Sequence, residues 1–128
     1  MRQLQQELKL LFDVTHNKQN ASKSDLMALY RRLISEEYKE FTEEDDGSVK
    51  AFKELLDLIW VCIQYANAAG YDLDTGMKLL IKEYESKFRT KEGEFKPIFR
   101  EDGKLLKNTG FKKLDLTKLG EAIYDINE

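Results

Sequence analysis

Apolar residues recur at helical spacing through the first ninety positions of the chain. Leu4, Leu8, Leu11 and Phe12 predict a helix from Gln3 to about His16. The polar stretch NKQNASKS reads as a loop, with Ser24 the expected N-cap of a second helix and Asp25 in its first turn. That helix carries Leu26, Tyr30, Leu33, Ile34 and Phe41 on one stripe and is expected to run to about Glu44. EDDGS breaks the pattern. A third helix should start at Gly47 or Ser48 and end near Ala69, where Gly70 suits a left-handed terminus. A fourth is expected over about Gly76 to Phe88, with Asp74 or Thr75 as caps.

Past Arg89 the character changes to glycines and the one proline. "DG" between Ile98-Phe99 and Leu105-Leu106 predicts a small hairpin or ordered loop, and LTKLGEAIYDI a last short helix. The expected fold class is therefore all-α. It is an antiparallel bundle of about four main helices in one domain, 1–128, with a core of about 1–89 and an irregular C-terminal arm of about 90–128.

Composition narrows the function classes. Of 128 residues 35% are charged and 41% hydrophobic, which suits a soluble protein rich in amphipathic helix. A net charge of −3 with mixed signs argues against a nucleic-acid partner bound through a basic surface, though a local basic patch for a small phosphate ligand is compatible with it. Cys62 stands alone, so no intrachain disulfide can form; it is expected to be a small buried hydrophobe, and a cytoplasmic location is expected. The N-terminus, with no long apolar core and no cleavage-like site, is not expected to be a signal peptide. The apolar run from Leu55 to Ala69 is short of a membrane span and is interrupted by Asp57.

The acids in two of these helices are misplaced for a solvated face. On a wheel at about 100° per residue, Glu37 falls within roughly 20° of the middle of the second helix's apolar stripe. Glu40 lies at its edge and Glu36 points away. A carboxylate there costs free energy unless its charge is compensated. In the third helix Phe52, Leu55, Leu56, Ile59, Ile63 and Ala66 fill one face, while Glu54 and Asp57 share the other with Leu58, Val61 and Tyr65. A helix apolar nearly all round has two surfaces to bury, one in a bundle and one against a second subunit.

Both acidic pairs, Glu37/Glu40 and Glu54/Asp57, are spaced i, i+3 and so lie on one helical face. On adjacent antiparallel helices they could converge into one pocket. Four carboxylates there resist ionising together, and a hard divalent cation such as Mg²⁺ removes the difficulty. The residues alone leave two other readings open: early acids favour a helix macrodipole, and Glu37 could pair with Arg31 or Arg32.

Glu37-x-x-Glu40, thirteen intervening residues, then Glu54-x-x-Asp57 resembles the metal signature of the all-α nucleoside triphosphate pyrophosphohydrolase superfamily of MazG type. "RLISEEYKEF" and "KELLDLIWVCIQYANAAGYD" carry the likeness, and "KPIFREDGKLLK" is similar to the arm of its phosphoribosyl-ATP pyrophosphohydrolase-like subgroup. Tyr84 stands where that subgroup commonly has asparagine, and "KNTGF" departs from its K-G-P-N-Y.

The resemblance implies a Mg²⁺-dependent enzyme, or Mn²⁺-dependent in its place. It would cleave a nucleoside triphosphate to monophosphate and pyrophosphate, with Glu37, Glu40, Glu54 and Asp57 as metal ligands and catalytic residues. It also implies a homodimer or a dimer of dimers. Lys87, matching the lysine of an S-K-F motif, is a candidate pyrophosphate contact; Arg100 and Lys104 beside the "DG" turn, and Asn67, are candidate substrate contacts. Alternatives are hydrolysis of phosphoribosyl-ATP, or a non-catalytic helical interaction protein whose acids serve salt bridges. His16, the only histidine, gives histidine-based catalysis little to build on.

Overall fold

A computed structural model describes residues 2–16 and 21–117. Four helices dominate them: α1 (Arg2–His16), α2 (Lys23–Thr42), α3 (Val49–Ala69) and α4 (Leu73–Lys87). The fold class is all-α, with one short antiparallel hairpin of β1 (Ile98–Phe99) and β2 (Leu105–Leu106). The hairpin register pairs Ile98 with Leu106 and Phe99 with Leu105 across the expected Asp102-Gly103 turn. The expected last helix lies, beyond Thr117, outside the described residues. Among those described, no helix is long and apolar enough to cross a membrane.

Helix boundaries follow from which side chains can satisfy the first backbone N–H groups. Ser22, not Ser24, caps α2. Its hydroxyl accepts from the Asp25 N–H at 3.0 Å while the Asp25 carboxylate accepts from the Ser22 N–H at 3.4 Å. Only Ser22 has an acid three residues on, so only it can close this reciprocal box. Ser48 caps α3 through the Ala51 N–H at 3.0 Å. Gly70 ends that helix at φ 80°, a left-handed conformation that glycine takes without steric cost. α4 begins at Leu73 rather than at Gly76, because the side-chain oxygen of Gln5 accepts the Leu73 N–H at 3.0 Å.

The chain divides into two compact units, one ending at Leu73 and the next starting at Asp74. Packing thus groups α4 with the glycine-bearing arm, whereas the change of composition lies later, near Arg89. In the first unit α2 and α3 run antiparallel: Arg31, early in α2, meets Tyr65, late in α3, at 3.5 Å. Tyr30, Val61 and Ala68 form the core between them, with Leu26, Leu33, Ile34, Leu58 and Tyr65 packed around it.

α1 closes this unit by two contacts. Phe12 packs tilted against Tyr30 and His16 meets that ring edge-on, with the Tyr30 hydroxyl 2.9 Å from His16 Nε2. Gln64, 2% exposed, donates to the Leu8 carbonyl at 3.1 Å and accepts from Asn67 at 2.9 Å. Asn67 in turn accepts from Gln5 at 3.1 Å. This amide chain satisfies groups that burial would otherwise strand.

One face of α3 is left open within its unit. Phe52, Leu56, Ile59 and Trp60 are each more than 40% exposed, although Ile63 and Ala66 further along are buried. Cys62 is also exposed, contrary to the expected buried hydrophobe. An apolar surround in sequence does not say which faces one chain can cover.

Candidate functional site

The antiparallel crossing of α2 and α3 brings the late turns of one against the early turns of the other. Glu37 and Glu40 come from α2, and Glu54 and Asp57 from α3. Carboxylate oxygens of Glu37, Glu54 and Asp57 all lie within 4.8 Å of one another. These three residues are half-buried and Glu40 is exposed. Glu36, one residue before Glu37, is exposed and outside the cluster, as the wheel separated them.

Two oxygens, Glu37 Oε2 and Glu54 Oε2, are buried with no hydrogen-bond donor. The Glu40 carboxyl lies beside those of Glu37 and Glu54. Proximity to Glu37 accordingly raises the Glu40 pKa above the ordinary glutamate value. Partial burial, then the charges of Glu40 and Asp57, raise that of Glu54. The cluster therefore opposes its own full ionisation, and its two buried glutamate oxygens have no donor to relieve it.

The arginines weighed as partners do not supply that relief. Arg31 turns to Tyr65, with its guanidinium 5.8 Å from the ring centroid. The cation present is one that sequence reasoning missed. Lys53 Nζ donates to both oxygens of Asp57, at 2.7 and 2.6 Å, and this contact raises the lysine pKa. The i, i+4 spacing of Lys53 and Asp57 was the available signal. Lys53 is two-thirds exposed, so solvent screens this pair and the ammonium is free to leave.

Glu37, Glu54 and Asp57 come together with Glu40 beside them in the first unit, and Asn67 of the same unit does not join them. Asn67 lies ten residues past Asp57, roughly 15 Å along the axis of α3; its amide oxygen accepts from Gln5 of α1 and its NH2 donates to Gln64 on its own helix. Lys87, Arg100 and Lys104 belong to the other unit. There Lys87 Nζ sits 4.2 Å from the Tyr84 ring centroid. Arg100 forms a two-pronged ion pair with Asp102, whose carboxyl it holds below the usual range. Lys104 is exposed at the hairpin turn, and its backbone N–H donates to Asp102.

Oxygen-only donors, three of them mutually close, and two buried unpartnered oxygens are a donor set suited to a hard divalent cation. No protein-family model, curated protein or solved structure matches the chain. The functional reading rests accordingly on this geometry and on the motif that supplies it.

Proposed function

We propose that the chain is a divalent-cation-dependent nucleotide pyrophosphohydrolase. It would cleave a nucleoside triphosphate between the α- and β-phosphates to give monophosphate and pyrophosphate. The observation that carries the reading is the meeting of Glu37, Glu54 and Asp57 around two buried oxygens that have no donor. Acidic clusters on protein surfaces commonly hold no ion; orphaned buried oxygens are what set this one apart.

Glu37, Glu54 and Asp57 would hold Mg²⁺ or Mn²⁺, with Glu40 at the rim. The bound cation would neutralise the triphosphate and acidify a water for attack on the α-phosphorus. Rigid presentation from two packed helices fixes the carboxylates before substrate arrives, and such positioning is most of what phosphoryl chemistry asks of a protein. Lys53 pairs with Asp57, and its exposed ammonium would give way to a cation held there.

The open face of α3 supports self-association. Phe52, Leu55, Leu56, Ile59 and Trp60 form a contiguous apolar stripe of the kind monomers seldom expose. A second copy is the occupant we propose, giving a homodimer or a dimer of dimers. The lone unpaired Cys62 accords with a reducing, cytoplasmic setting.

The Lys53–Asp57 pair favours one rival, a non-catalytic helical protein in which these acids serve ion pairs. Incubation with a panel of NTPs, dNTPs and phosphoribosyl-ATP, with and without Mg²⁺, separates the readings. Monophosphate and pyrophosphate in equal amounts, only with the cation, are expected. Preference for phosphoribosyl-ATP over every NTP and dNTP would reassign the substrate. No release under any condition would favour the rival.

A further inference from the structure

The second unit contains a cleft of about 500 Å³ beside the C-terminal end of α4, within the size range of small-molecule sites. Lys82 lines it from α4, Arg89 from just past the end of that helix, Lys91 from the following turn and Lys112 from the returning arm. Glu85 is the one acid lining it, and the Phe111 ring forms part of its wall. Four cations to one carboxylate is a local reversal in a chain whose net charge is −3. Among the described residues Lys82, Lys91 and Lys112 have no ion-pair partner, and Arg89 contacts the Gly93 carbonyl and the Phe95 ring rather than an acid.

The wall is held in place. The Gly110 N–H donates to the Arg89 carbonyl at 2.9 Å, the Lys112 N–H to the Ser86 hydroxyl at 2.9 Å and the Lys91 N–H to the Thr109 hydroxyl at 2.8 Å. Cations at a helix C-terminus also complement its dipole. That role is partly filled here: in the last turn the carbonyls of Glu85 and Ser86 accept the N–H groups of Phe88 and Arg89, and past it those of Phe88, Arg89 and Thr90 accept further backbone N–H groups. Gathering four like charges raises the free energy of the empty cleft, and a compact polyanion lowers it.

We propose that this cleft binds a condensed phosphate: a pyrophosphate group, either free or carried on a nucleotide. The site stands independently of the acidic cluster, which repels such anions unless a divalent cation is present. The test is an amide-resolved NMR titration of the full chain with sodium pyrophosphate in EDTA, which removes metal-mediated binding at the acidic cluster.

Saturable shifts are expected at Lys91, Gly110 and Lys112. The dissociation constant should rise at least tenfold in Lys91→Ala/Lys112→Ala, which removes exposed side chains only, and stay unchanged in Lys50→Ala. The affinity should also fall with added salt. Any of three results overturns the proposal: no saturable shift at these amides, a double variant that binds as tightly as the parent, or sulfate binding as tightly as pyrophosphate. A nucleoside triphosphate run alongside tells a nucleotide-borne group from the free ion by which of the two binds more tightly.

Discussion

Gly110→Ala tests how the arm is held, and its size can be worked from distances. A Cβ on Gly110 would stand 2.4 Å from the Thr90 carbonyl oxygen, 2.6 Å from that of Arg89 and 2.8 Å from the Thr90 carbonyl carbon. Carbon–oxygen contacts ordinarily begin near about 3.3 Å, so the two segments must part by roughly 0.9 Å. The obstacles are backbone atoms and cannot rotate aside. Parting by that much stretches the 2.9 Å bond from the Gly110 N–H to the Arg89 carbonyl beyond any useful length. Overpacking costs about 1–3 kcal/mol and a lost hydrogen bond about 0.5–1.5 kcal/mol, so docking of this segment should weaken by roughly 2–4 kcal/mol.

Gly93→Ala is the control. Gly93 sits at φ 87° with open space around it, so alanine there incurs only the left-handed backbone cost of about 1–2 kcal/mol. Hydrogen–deuterium exchange read over residues 86–112 provides the assay. Gly110→Ala should accelerate exchange at Gly110 and Lys112 by at least thirtyfold and weaken pyrophosphate binding, with a smaller change in Gly93→Ala. Exchange unchanged from the parent in Gly110→Ala would refute the close-approach reasoning.

Other outcomes follow from the same coordinates. Glu54→Gln and Asp57→Asn should each abolish the rise in melting temperature produced by millimolar Mg²⁺, while Lys53→Ala should preserve or enlarge it; a Mg²⁺ effect that survives Asp57→Asn would remove that residue from the ligand set. Glu40 and Glu54 hold protons more tightly in the fold than in the unfolded chain, so in EDTA stability should rise as pH falls from 7 through their raised pKa values. Below the ordinary carboxylate range the sign reverses, because Arg100 and the Thr117 N–H hold Asp102 and Asp115 low; melting curves that only fall from pH 7 to 5 would contradict this. Tyr30→Phe deletes the hydroxyl 2.9 Å from buried His16 and should cost about 1–3 kcal/mol in urea unfolding, with no effect meaning that the bond is not made in solution. Leu56→Lys/Ile59→Lys should convert a dimer into a monomer in sedimentation velocity, and an unchanged sedimentation coefficient would locate any self-association elsewhere.

Much of the fold was legible because helical periodicity is a local property. The wheel that set Glu37 inside and Glu36 outside needed only α2 itself, and the structure places them so. The "DG" turn and its flanking apolar pairs pointed to a small hairpin or ordered loop, and the structure forms the hairpin there. What escaped involved competition or distance. Ser22 outcompeted Ser24 as a cap because Asp25 could return its bond. α4 started early because Gln5, sixty-eight residues away, accepts the Leu73 N–H. Cys62 looked buried because α3 is apolar nearly all round, and only packing decides which of its faces a single chain covers.

In the candidate site, the acidic quartet was visible as two i, i+3 pairs, and its convergence follows from the antiparallel crossing of α2 and α3. Lys53 was within the same reach of Asp57 by spacing but was passed over, since most such pairs are solvated ornaments of a helix surface. The need for glycine at 110 could not be read locally, because the atoms that exclude a side chain belong to Arg89 and Thr90, some twenty residues earlier.

The proposal that Glu37, Glu54 and Asp57, with Glu40 at the rim, hold a divalent cation is measured most directly by the uptake of Mn²⁺. The electron paramagnetic resonance signal of free Mn²⁺ should disappear on addition of the protein to a fixed, saturable stoichiometry, and Glu37→Gln/Glu54→Gln should leave it in solution. Equal uptake by parent and double variant, or none by the parent, would contradict the account.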